Sequence, residues 1–107
     1  MNALLEIRAA SRKTPIDGRL EVSDATAERL SRLGEHFPLI VGHALDGGTV
    51  QRMACTCNKS PAGGGHAHNF IVAEILKTMT PEDLYMIELD ADGVVRVTSA
   101  HDAATGP

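Results

Sequence analysis

Apolar and polar positions alternate over residues 4–10, with Leu5, Ile7 and Ala9 on one side and Glu6 and Arg8 on the other. A period of two is the pattern of a half-buried strand. Residues 11–18 break it as a loop, in which Asp17-Gly18 can close a turn. Residues 19–22 form a short second strand, expected to pair back on the first. The period then changes. Ser23 reads as a helix N-cap with Asp24 in the first turn. Ala27, Leu30 and Leu33 form an apolar stripe, Glu28 and Arg32 stand one turn apart, and Gly34 supplies a stop. The spacing predicts a helix over 24–33.

The second half returns to strand-like runs. Residues 37–45 are apolar and β-branched, and Asp46-Gly47-Gly48 follows as the turn of a hairpin with a strand over 49–57. A Pro- and Gly-rich loop, 58–65, precedes a strand over 66–73. Residues 74–79 fit a short helix, and 80–83 fit either a helix start or a turn. Strands over 85–89 and 94–99 flank Asp90-Ala91-Asp92-Gly93, a strong hairpin signal. About seven strands and one or two short helices result. The expected class is α+β or mostly β: a small antiparallel sheet or open barrel with one or two short helices packed on it. The chain reads as a single domain over 1–100 with a frayed tail over 101–107.

Composition sharpens this picture. Among 107 residues there is no Trp, one Tyr and two Phe, so the core has to be built from Leu, Ile, Val, Met and Ala. Such a core is small, and a metal tie would supplement it. The net charge of −4 argues against a general nucleic-acid binder, which needs a basic surface. Residues 1–5 run directly into Glu6 and Arg8, too short and too charged for a secretory leader. No apolar run approaches the ~20 residues that span a bilayer. A soluble cytoplasmic protein is expected, and in a reducing compartment two cysteines serve as metal ligands or free thiols more often than as a disulfide.

The candidate chemistry lies in one stretch. Cys55 and Cys57, the only cysteines, are followed by His66 and His68, with residues 58–65 between. Residues two apart on a strand share a face. If the two strands pair with Cys57 across from His66, Cys55 falls across from His68 and all four side chains share one face, with opposite Cβ atoms ~5 Å apart. The same register sets Met53 opposite Phe70 and Gln51 opposite Val72, which would place the site at the end of a buried face on a central hairpin. Two thiolates and two neutral imidazoles make a closed, charge-neutral zinc set with no open position. The Cys-x-Cys spacing departs from the usual Cys-x-x-Cys knuckle, and soft thiolates also suit copper(I). Free thiols beside surface histidines are the bland alternative.

Other features are weaker. His43 could be a substitute ligand or a neighbour of the site, but a lone strand histidine is more often partly buried and hydrogen-bonded, and His36 and His101 are expected to face solvent. Asp90-Ala91-Asp92-Gly93 lacks the acidic positions of a calcium loop and has His101 at its twelfth place. Gly63-Gly64-Gly65 lacks the Lys-Ser/Thr of a phosphate loop. Arg8, Arg12, Lys13 and Arg19, with Lys59, form a modest basic cluster, the one place for a nucleic-acid or acidic-protein contact. No paired carboxylates or oriented Cys–His pair suggest catalysis. The expected function is therefore a small domain with a structural Cys2His2 zinc site, a protein- or nucleic-acid-interaction module in which the charge favours a protein partner. A metal or redox sensor using the Cys-x-Cys thiols is the alternative, and a zinc enzyme comes third.

Overall fold

The computed structural model describes residues 2–54 and 67–100. Within them the chain runs β1 (Ala3–Ala9), α1 (Thr14–Asp17), β2 (Arg19–Val22), α2 (Asp24–Ser31), β3 (Phe37–Val41), β4 (Ala44–Ala54), β5 (Ala67–Val72), a 3-10 helix (Glu74–Thr78), β6 (Leu84–Leu89) and β7 (Val95–Ser99). The strands form one nearly closed mixed sheet in the order β1-β6-β7-β3-β4-β5-β2, so the fold is mostly β with short helices. The pair β3–β7 is parallel and the other pairs are antiparallel.

Closure depends on β4, the longest strand. Its first part, Ala44 to Gly48, pairs with β3, and its second part, Thr49 to Ala54, pairs with β5. The strand passes between the two at Gly48. A Cβ there would lie 2.8 Å from Cε1 of the buried Phe37, so the hydrogen of glycine is what lets the Phe37 ring lie against the bend. The expected turn at Asp46-Gly47-Gly48 is thus strand. The hairpin turns earlier, at Gly42-His43, because Val41 pairs directly with Ala44. Gly42 has φ +63°, the left-handed conformation that tight two-residue hairpin turns demand.

Two further expectations are corrected. The strand β2 pairs with β5 and not with β1. In β1 the register slips between Leu4 and Glu6, which leaves Leu5 as an extra residue. One inserted residue reverses the alternation beyond it. Ile7, expected inside with Leu5, is 54% exposed, and Ala9 is exposed as well. Glu6 and Arg8 turn inward, across from Ile87 and Tyr85.

The remaining elements follow their local chemistry. Ser23 caps α2, its Oγ accepting from the Thr26 N–H at 3.2 Å. Ala27 and Leu30 are buried, Leu33 packs against the core just past the helix end, and Arg32 reaches Glu28 at 2.7 Å. Asp90 builds its expected turn by accepting from the N–H groups of Asp92 and Val94 and from Arg96. These bonds, led by that from Val94, hold its carboxyl below the ordinary range. The core draws Leu20 and Val22 from β2, Leu39 from β3, Ile71 from β5, Ile87 from β6, and Val95 and Val97 from β7. Aliphatic side chains dominate it, as the composition requires.

Candidate functional site

Among the described residues the ladder between β4 and β5 runs as far as the pair Ala54 and Ala67, with Met53 opposite His68, Gln51 opposite Phe70 and Thr49 opposite Val72. This differs by two residues from the register expected from the cysteine and histidine spacing. A shift of two preserves the side-chain alternation, so Met53, His68 and Phe70 still share a face. That face is not the buried one. Asn69 and Ile71 point to the core, whereas Met53, His68 and Phe70 lie half-buried on the outer side. The expected ligands Cys55, Cys57 and His66 lie outside the described residues, as do Lys59, the triple glycine 63–65 and His101.

His68 occupies the middle of three strands. Met53 stands across from it on β4. On its other side β2 places Glu21 opposite Phe70, which makes Glu21 the diagonal neighbour of His68 on the same face. The Nδ1 atom of His68 lies 3.2 Å from Oε2 of Glu21. The same oxygen lies 4.0 Å from Arg8, whose Nε donates to Glu6 at 2.9 Å. Glu6 in turn accepts from the Ser23 N–H at 2.8 Å. Burial raises the Glu6 pKa, but bonds from the Thr26 hydroxyl, the Ser23 N–H and Arg8 outweigh it and hold the carboxyl below its ordinary range. A chain of charged groups thus runs from the β2–α2 junction through β1 to His68. It crosses the seam between β1 and β2, which side chains bridge.

Arg19 covers the neighbouring part of the face. Its Nη1 donates to the Met53 sulfur at 2.9 Å, its Nη2 to Asp17 at 2.7 Å, and its guanidinium carbon sits 5.4 Å from the Phe70 ring centre. A groove of about 440 Å³ runs beside these groups, lined by Ser11, Lys13, Arg19, Glu21, Met53 and His68 among others.

Among the described residues, the three arginines of the first segment's basic cluster are each paired with a carboxylate. Arg8 faces Glu6 and Glu21, Arg12 faces Glu82 at 3.1 Å, and Arg19 faces Asp17. His43 is exposed in the β3–β4 turn, not partly buried, and stands at the opposite end of β4 from Ala54, roughly 30 Å along the strand. His36 is exposed, as expected. Among the described residues no three His, Cys, Asp or Glu side chains gather as a metal set, and no helix is long and apolar enough to cross a membrane. What sequence reasoning missed is Glu21. Its signal was its alternation with Arg19 on a strand, but its proximity to His68 depends on β2 pairing with β5. No family model, curated protein or solved structure matches this chain.

Proposed function

We propose that the chain is a small zinc-binding domain, with Cys55, Cys57, His66 and His68 holding one structural ion, and that it serves as an interaction module for another protein. The contact between His68 Nδ1 and the Glu21 carboxylate carries the reading. A histidine that binds a metal through one ring nitrogen commonly gives the other to a carboxylate. The β4–β5 ladder adds to this, because it pairs Ala54 with Ala67, the residues that flank positions 55–66 in the sequence. Two thiolates and two imidazoles would bind zinc as a closed, neutral set, tying the strand ends together. The pairing of Arg8, Arg12 and Arg19 with carboxylates, together with the net charge of −4, favours a protein partner over a nucleic acid.

Elemental analysis of the purified native protein tests this directly. One zinc per chain is the expected result, and Cys57→Ser should lose the metal and melt at a lower temperature, because structural zinc binding is coupled to folding. A Cys57→Ser protein that keeps one equivalent of zinc and melts unchanged would overturn the proposal.

One observation favours a second reading, a metal or redox sensor. The His68 side chain is 36% exposed beside an open groove, and a sensor needs accessible thiolates. Thiol titration with and without a strong chelator separates the two. Fast labelling of the untreated protein favours the sensor, and labelling only after chelation favours the structural ion.

A further inference from the structure

The strands β1, β6, β7 and β3 and the first part of β4 form one layer, which the Gly48 bend joins to β5 and β2. The helices pack against β2, β4 and β5. Paired residues share a face and successive residues alternate, so the buried Leu39, Tyr85, Ile87, Val95 and Val97 define the inner side of this layer. Its outer side carries four of the five large apolar side chains exposed among the described residues: Leu4, Ile7, Leu45 and Leu84, each more than half exposed. Exposed apolar residues scattered singly are ordinary, whereas four gathered on one sheet face mark an interaction surface.

The ladders set one row across that face, in the order Leu4, Glu88, Arg96, Ile40 and Leu45. From the line between β6 and β7 the row reads the same way in both directions, a charge and then an apolar side chain, and the two charges have opposite sign. Glu88 makes no ion pair among the described residues. Arg96 gives its Nε to Asp90 at 3.2 Å and is 42% exposed.

We propose that this face is the interface between two copies of the chain, packed sheet on sheet about a two-fold axis along the β6–β7 line. Rotation about that axis lays β6 over β7 of the second copy and β1 over its β3. Each Glu88 then meets the Arg96 of the other copy, and each Leu4 meets its Ile40. An isologous contact requires such self-complementarity. Balanced charge on the meeting face also offsets the repulsion between two chains of net charge −4. At about 4.8 Å between strands and about 3.3 Å per residue, the layer measures roughly 24 by 17 Å. That area suits a small interface, about 600 Å² per partner, and a dimer in equilibrium with its monomer. Ile7 falls over the Gly42 turn of the second copy, at the rim. The inference is independent of the metal.

Sedimentation equilibrium of the full chain over micromolar to millimolar concentrations tests it, and a monomer–dimer equilibrium is expected. Leu45→Asp and Glu88→Arg should each weaken the dimer by at least about tenfold, with melting in dilute solution confirming that both variants fold. Mixing Glu88→Arg with Arg96→Glu should restore the dimer, because in the mixed pair every charge again meets its opposite. A wild-type chain that stays monomeric at millimolar concentration overturns the proposal and leaves the face to a different protein. A dimer indifferent to both Leu45→Asp and Glu88→Arg overturns it as well.

Discussion

Glu6 stands opposite Ile87 in the β1–β6 ladder, a carboxylate set on the inner face across from a side chain with no solvent exposure. The extra residue Leu5 is the cause, because it reverses the alternation of β1 from that point on. The inward carboxylate is tolerated because the Ser23 N–H and Arg8 satisfy it.

The bulge makes unequal demands on two apolar residues that look alike in the sequence. Ile7→Lys should change stability by no more than about 0.5 kcal/mol, since the side chain points to solvent. Leu5→Ala should cost about 1–2 kcal/mol through the loss of packed methylene groups. Urea denaturation of both variants checks this, and a larger loss at Ile7 would show that the bulge is absent in solution.

Glu6 also links stability to pH. Its folded pKa is depressed below the ordinary 4.5, so the folded state binds this proton less readily than the unfolded chain does. The contribution is therefore present above pH ~4.5 and is lost as the pH falls through the folded value. Glu6→Gln should be less stable than the wild type by about 1–3 kcal/mol near neutrality. That gap should narrow in acid, as followed by urea midpoints between pH 3 and 7.

Gly48 offers a steric test of the β4 bend. A methyl group there would meet the Phe37 ring at 2.8 and 3.1 Å and Leu39 at 3.4 Å. Gly48→Ala should cost about 1–3 kcal/mol by overpacking. Thermal denaturation of Gly48→Ala with and without Phe37→Leu checks the origin, since the smaller side chain should reduce the effect of the alanine.

Asp46 joins two elements that lie far apart in sequence. Its Oδ2 accepts from the Ile75 N–H at the start of the 3-10 helix at 3.0 Å, and its Oδ1 accepts from the Gly47 N–H at 2.8 Å. Asp46→Ala should cost about 1 kcal/mol and loosen the 3-10 helix. Amide hydrogen exchange at Ile75 and Leu76 is the measurement, with faster exchange expected in the variant.

Much of the local structure was legible in the sequence. The Ser23 cap, the stripe of α2, the Asp90–Gly93 turn and the aliphatic core all follow from side-chain chemistry acting over a few residues. The shared face of Met53, His68 and Phe70 was legible too, because alternation along a strand needs no partner. What the tertiary structure alone decided is who stands beside whom. Alternation has a period of two, so a β4–β5 register displaced by two residues satisfies the pattern equally well, and only the assembled sheet selects the pairing of Met53 with His68. The same holds for the bulge at Leu5, the bend at Gly48 and the pairing of β2 with β5, which brings Glu21 to His68. Each depends on contacts between segments distant in sequence, where a hydrophobic pattern carries no information about the partner.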